Sequence, residues 1–419
     1  MNNICLTTKN ELCTGCGLCE DVCPAQAISI KRGVENTPTV NLKKCVNCGK
    51  CIKICPGIGC DIEFLSKNCF SDGNIKKDYY IGRYLETFVG HSNDNEIRYH
   101  SASGGVLSHF LIYLLEKGLI NGAVVTKFSS SDAMYPETFI ATSKEEILSA
   151  KSSKYCPVSL NGITKKILAF EGKVVVVGLP CHIQSLRKRL TFDSKLKEKI
   201  VGLFSIYCSS NRNFNAQKFL LDYYKIRRED VTKFAYRDDG CLGNMKVFVS
   251  GKEPLLNIPF IDYYGALRSF FKPRRCLSCI DHYGELADIN FGDIHIAPYS
   301  NDRIGVSSII VRNSKYRSIL MQAVHENVLS IEPIPCDIVN ESQKEMLYPK
   351  QRKAHALMNM DRLLHRMTPV YDKELKKPYL KDYVSEILCN CQRYVGRHPF
   401  LWFVIRILFS HKISKEYKR

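Results

Sequence analysis

The chain has 419 residues, 60 Lys+Arg against 42 Asp+Glu for a formal charge of +18, and 20 cysteines. That length leaves room for one large or two ordinary domains with a sizeable core. The charge suits an acidic protein, a phosphate-bearing cofactor or an anionic membrane surface; nucleic acid is set aside for want of a recognition motif, and a secreted disulfide framework for want of a charged-then-apolar leader.

The first elements are two cysteine runs, Cys13-x2-Cys16-x2-Cys19-x3-Cys23-Pro24 and Cys45-x2-Cys48-x2-Cys51-x3-Cys55-Pro56. Each has the bacterial dicluster spacing, in which three thiolates cap one [4Fe-4S] cube and the fourth reaches to the partner cube. The spacing assigns Cys13, Cys16, Cys19 and Cys55 to one cube, and Cys45, Cys48, Cys51 and Cys23 to the other. Gly15, Gly17 and Gly49 allow the sharp bends this needs. A zinc module needs four cysteines rather than four in one compressed run, repeated with its proline. The expected ferredoxin-like domain covers residues 1–70, followed by a polar linker, Ser71 to Asp78.

Beyond residue 80 the pattern changes to α/β. Val106 to Leu115 has helical apolar spacing and ends at Lys117-Gly118. Gly122 to Val125 reads as a buried strand, Lys173 to Gly178 as another, Pro180 to Leu190 as a helix, Val201 to Tyr207 as a strand and Phe214 to Tyr224 as a helix. That alternation predicts an α/β layer. Two turns in it carry chemistry. Ser101-Ala102-Ser103-Gly104-Gly105 precedes a helix, so it is either a phosphate cradle or an ordinary serine N-cap. Gly178-Leu179-Pro180-Cys181 lies at a strand-to-helix junction, where α/β folds place their ligands. The helix start is expected to lower the Cys181 pKa, which suits a nucleophile or a metal ligand. With Cys208 at the next strand end and the Cys276-x2-Cys279 pair, Cys181 completes a set for a third [4Fe-4S] cluster. The alternative is that Cys181 and Cys208 are buried small apolar residues.

The stretches Ser101–Gly105, Ser153-Lys154-Tyr155, Val177–Cys181, Tyr236-Arg237-Asp238, Arg275-Cys276-x2-Cys279, Asp288–Asp293 and Gly305-Val306-Ser307 resemble, over residues 80–350, the β subunits of coenzyme F₄₂₀ hydrogenases and dehydrogenases. The resemblance implies FAD and iron–sulfur clusters, with Ser101, Ser103, Gly104, Gly105, Lys154 and Asp293 as flavin-binding residues. Lys154 would meet a flavin phosphate or ring edge, or else be a solvated loop lysine; Asp293 would position the flavin or cap a helix. His182 replaces the glutamine common after the Pro-Cys pair, and Cys208-Ser209-Ser210 replaces Cys-His-Gly. Archaeal relatives act on F₄₂₀, while many bacterial ones look like parts of surface-polysaccharide gene sets.

Electron counting completes this reading, because cubes carry single electrons and most organic acceptors take a pair. The expected protein is a cytoplasmic iron–sulfur flavoprotein oxidoreductase linking a low-potential donor, such as ferredoxin or an enzyme subunit, to an organic acceptor. The alternative is an electron-transfer subunit without its own substrate. Residues 351–419 form a basic helical extension ending in the run Phe400 to Phe409, too short to span a bilayer. With Arg393, Arg397, Lys412, Lys415, Lys418 and Arg419 around it, the run is expected to lie on the inner membrane face with Trp402 at the interface. The alternative is a helix docked on the domain or a partner.

Overall fold

The computed structural model describes residues 2–417, so Lys418 and Arg419 lie outside the described residues. An eight-stranded mixed sheet organises the chain. Its strands are β1 (Glu86–Ser92), β2 (Gly122–Phe128), β3 (Pro136–Ala141), β4 (Val174–Gly178), β5 (Ile200–Ile206), β6 (Ile289–Asp293), β7 (Ser307–Val311) and β8 (Leu329–Pro333). They lie in the order β8-β1-β7-β6-β5-β4-β2-β3. The central strands β6, β5, β4 and β2 are parallel, and the flanking pairs are antiparallel. A parallel strand covered on both faces has no wet side. Accordingly Val174 and Val176 of β4 enter one apolar core and Val175 the other.

Four helices set the geometry that matters below: α1 (Val106–Glu116), α2 (Lys144–Ser149), α3 (Pro180–Leu190) and α4 (Phe214–Tyr223). On α3, Pro180 sits at the start, where a missing N–H costs nothing, and Arg187-Lys188-Arg189 close the last turn. Its Ile183 and Leu186 bury into the same core as Cys16, Cys19, Cys51 and Cys55. The ferredoxin-like module is therefore docked on this face. Leu160 N donates to Cys16 O at 2.8 Å, and the Asp21 carboxylate accepts from Gly162 N, Thr164 N and Thr164 Oγ1 at 2.7–2.9 Å. Within the module Gly17 and Gly49, at φ +78° and +75°, start matching short helices, Leu18–Asp21 and Lys50–Lys53. The two cysteine runs thus share one backbone path, and both need a left-handed residue there. The expected linker closes on itself as Lys76–Asp78 pairs with Gly82–Tyr84.

A single helix, α5 (Lys344–Leu363), carries the chain through residue 351, burying Leu347 in one apolar core and Ala354 and Met358 in another further along. Val370–Tyr371 then joins Gly59–Cys60 as a parallel pair, so the extension also holds the ferredoxin-like module. Two further helices follow, α6 (Leu380–Arg397) and α7 (Trp402–Lys412). No helix among the described residues is long and apolar enough to cross a membrane.

The expected place of Trp402 at a membrane interface is not what the structure shows. Its ring is 4 % exposed, packs edge-on to Phe219 and Phe271, and donates Nε1–H to Gly396 O at 3.1 Å. Ile405 and Phe409 are buried beside it. Arg393, expected as a free cation, is likewise buried, donating Nε–H to Lys272 O at 2.9 Å. The physical reason is that the aromatic side chains of α4 offer a dry surface matching one stripe of α7. Trp402→Ala should therefore cost about 3–5 kcal/mol of stability, measured as a lowered unfolding midpoint in denaturant.

Candidate functional site

The cysteines gather into three groups. Cys55 is an electrostatic neighbour of Cys13, Cys16 and Cys19. Cys23 is a neighbour of Cys51, and Cys23, Cys45, Cys48 and Cys51 line one small cavity. Burial and then Cys55 push the Cys16 thiol up to about 11. Backbone amides point at the sulfurs: Gly15 N to Cys13 at 3.4 Å, Ala27 N to Cys23 at 3.3 Å and Gly57 N to Cys55 at 3.3 Å. Such bonds favour anionic sulfur and tune cluster potentials.

The third group is assembled by the fold. Cys181 and Cys208 follow β4 and β5 at the carboxyl edge of the parallel strands. Cys276 and Cys279 arrive at the same edge through the short helix Arg274–Leu277 and the turn after it. All four line one cleft. The lowering expected for Cys181 at its helix start is overridden. Burial, followed by the nearby thiols of Cys16, Cys208, Cys279 and Cys276, pushes it well above the ordinary thiol value. Burial also raises Cys208 to about 12. The thiols of Cys181, Cys208 and Cys276 resist becoming anions unless a metal centre supplies the opposing charge, and with Cys279 they make a set of soft sulfur donors that fits a cluster.

Contacts between the groups fix their sequence in space. Cys19 neighbours Cys51, and Cys181 neighbours Cys16, so the Cys13 set lies between the Cys45 set and the Cys181 set. Cations stitch the seam. Arg275 is buried and donates Nε–H to Gly57 O at 2.9 Å and Nη2–H to Pro56 O at 2.7 Å, beside Cys55. Lys188 on α3 holds Cys55 O and Gly59 O at 3.0 and 2.7 Å, and Lys350 on α5 holds Cys208 O at 2.6 Å. Sequence reasoning passed over Lys188 and Lys350, since a lysine on an amphipathic helix normally faces water.

The residues expected to hold a flavin lie around the end of β6 and the loops packed beside it. Ser101 Oγ donates to Ile97 O at 2.6 Å, and Ser103 Oγ to Val306 O at 2.9 Å. Gly104 N donates to Ser307 Oγ at 3.0 Å. Gly105, at φ +75°, is the N-cap of α1, with no side-chain cap, so the serine hydroxyls do not serve as caps. Asp293 ends β6 and pairs with Arg237 at 2.8 Å. Burial raises the Asp293 carboxyl, yet Arg237 and then His295 hold it below its ordinary value. The Arg237 backbone carbonyl accepts from Ser152 Oγ, which brings the Lys154 loop alongside. Lys154 is not a solvated lysine: its ammonium donates to Ala150 O, Lys151 O and Ser152 O at 2.5–3.0 Å, just past α2, and burial pushes its pKa down to about 7. Arg237, which the sequence offers only as part of a matching stretch, is the residue sequence reasoning missed here.

Aromatic rings fill the space between the two regions. Tyr264, which has Cys208 and Cys276 among its electrostatic neighbours, lies 4.6 Å from Tyr155; Arg237 stands 5.0 Å over Phe260, in contact with Tyr155 at 5.3 Å. His182 plays a structural part. Leu179 N donates to its Nδ1 at 3.2 Å, its Nε2–H reaches Val158 O at 3.3 Å, and burial lowers its pKa to about 4, so it stays neutral.

Three cysteine groups on an α/β scaffold with a docked ferredoxin-like module define an iron–sulfur protein. Residues 12–57 match the 4Fe-4S dicluster domain. Residues 87–165 and 171–336 match the N-terminal and C-terminal parts of the coenzyme F₄₂₀ hydrogenase/dehydrogenase β subunit. The chain belongs to that family, an oxidoreductase family. It is 28 % identical over 260 residues to the coenzyme F₄₂₀ hydrogenase subunit β of Methanothermobacter thermautotrophicus, covering 61 % of this chain and 86 % of that one. It is 30 % identical over 230 residues to the coenzyme F₄₂₀-dependent sulfite reductase of Methanocaldococcus jannaschii, covering 52 % of this chain and 34 % of that one. A chain in the structure of the F₄₂₀-reducing [NiFe] hydrogenase complex from Methanosarcina barkeri shares the fold, with a TM-score of 0.51 and 22 % identity over 67 % of this chain and 96 % of that one.

Proposed function

We propose that the chain is an iron–sulfur flavoprotein oxidoreductase that passes electrons between a low-potential donor, such as ferredoxin or a partner enzyme subunit, and an organic acceptor. The acceptor is deazaflavin-like or a compound linked to surface-polysaccharide synthesis. In this reading Cys13, Cys16, Cys19 and Cys55 hold one cube, Cys45, Cys48, Cys51 and Cys23 the second, and Cys181, Cys208, Cys276 and Cys279 the third. Ser101, Ser103, Gly104, Gly105, Lys154 and Asp293, with Arg237, form the flavin-binding region. The protein works in the cytoplasm, peripheral to the membrane.

The observation that carries this reading is the line of three four-cysteine groups, each with the next as neighbour, leading towards the Arg237–Asp293 pair. Clusters, when bound, supply one-electron transfer, and FAD exchanges single electrons for a pair. The chain's own part is to hold and screen. Arg275, Lys188 and Lys350 set positive charge against the metal groups, Tyr155, Phe260 and Tyr264 exclude water between the two regions, and Arg237 holds Asp293 ionised.

A second reading, an electron-transfer subunit with no substrate of its own, is favoured by one observation. The donors of Ser103, Gly104 and Lys154 are already engaged by the chain itself. Anaerobic purification with iron and flavin assays separates the two. About twelve irons and a flavin band support the first, whereas about eight irons without flavin support the second.

A further inference from the structure

Helix α6 is built inside out. Leu380, Val384, Ile387, Leu388 and Tyr394 fall on one face at helical spacing, and each is 51–81 % exposed. Its two acids point inward. Asp382 is 2 % exposed and accepts from Arg352 at 3.2 Å, and Glu386 is also 2 % exposed. An ordinary surface helix does the reverse, burying its apolar stripe and wetting its charges.

The apolar face continues past the helix end. The Tyr394 ring lies tilted against His398 at 4.5 Å, and His398 against Phe400 at 5.6 Å. Phe403 and Ile407 then extend it along the outer side of α7, 59 % and 56 % exposed. From residue 376 to residue 414 the exposed Lys, Arg, Asp and Glu side chains are Lys376, Lys377, Lys381, Arg397, Arg406 and Lys412, every one a cation. Arg397 is paired with Glu11 of the ferredoxin-like module. The nearest exposed acids in sequence, Glu374 and Glu416, flank this stretch and do not interrupt it.

We propose that the outer face of α6, continued onto α7, is a docking surface for an anionic lipid bilayer. The proposal gives residues and an orientation to the peripheral placement stated above, and it is independent of the redox chemistry. Charge selects the occupant. Phospholipid headgroups supply the anions that the fringe of cations lacks, and the apolar stripe is shaped to lie in the plane of the interface. In a two-fold pair of copies the same face would meet itself, cation against cation, with no exposed acid on the stretch to answer. The face that docks is thus opposite to the one carrying Trp402.

The test uses the full-length protein, purified without oxygen, with vesicles of phosphatidylcholine alone or mixed with phosphatidylglycerol. Co-sedimentation should be about tenfold stronger on the anionic vesicles and should fall at high salt, as screened charge requires. The double variant Ile387→Glu/Phe403→Glu changes only exposed positions, so it should keep the cluster absorbance and lose the binding. Equal recovery with both kinds of vesicle overturns the proposal. So does a dimer in sedimentation velocity that the same double variant dissolves, since it would name a second copy as the occupant. Iron content and reduction by dithionite, read on the same samples, report separately on the redox reading.

Discussion

Cys276→Ser protein, purified without oxygen, is expected to carry about four irons fewer than the parent, about eight against about twelve. Serine keeps the size of the side chain and removes the soft donor, so the change acts on the metal rather than on packing. The first two groups draw on residues 13–55 alone, and their signals should persist in the electron paramagnetic resonance spectrum of the reduced variant. Cys208→Ser should give the same loss, because Cys181, Cys208, Cys276 and Cys279 line a single cleft. Equal iron in parent and variant would reduce the group to four half-buried thiols.

Asp293→Ala is the second large effect. It strands the Arg237 guanidinium, whose side chain is 3 % exposed, against the 18 % exposure of the aspartate. Breaking such a pair costs about 3 kcal/mol, the low end for buried pairs because the carboxylate keeps some contact with water. The pH dependence has a definite sign. Burial raises the carboxyl but Arg237 and His295 lower it below its ordinary value of 3.8. The stabilisation is therefore present above about pH 4 and is lost as pH falls through the folded value. Denaturant titrations of parent and variant should differ most at neutral pH and converge in acid. Flavin retention by the more conservative Asp293→Asn, which keeps the shape, tests whether the carboxylate serves the cofactor as well as the fold.

What could be read in the sequence follows from how locally each feature is encoded. The eight N-terminal cysteines group by spacing alone, since each run bends on its own glycines. Helix α3 is bounded as expected, because Pro180 starts it and a basic last turn ends it within the same stretch. The Cys181 group could be suggested, but spacing alone could not assemble it, as its members are separated by up to 98 positions and only the strand order β6-β5-β4 brings them together. The side of α7 that faces inward was not legible: its composition is the same against lipid or against Phe219 and Phe271. Arg237 was hidden for a similar reason. It sits at the end of a hairpin strand, Lys233–Asp238, and its partner is 56 positions away.

The spread of the ligands also sets an order in time. Cys13 to Cys55 leave the ribosome together, whereas Cys279 follows Cys55 by roughly 10–45 s at ordinary elongation rates. On the proposed assignment, the two N-terminal cubes can be loaded on a nascent chain, while the third must wait until β6 has taken its place in the sheet. Maturation would then pass through a form with two of its three centres filled, and a shortage of iron late in synthesis would starve the Cys181 group.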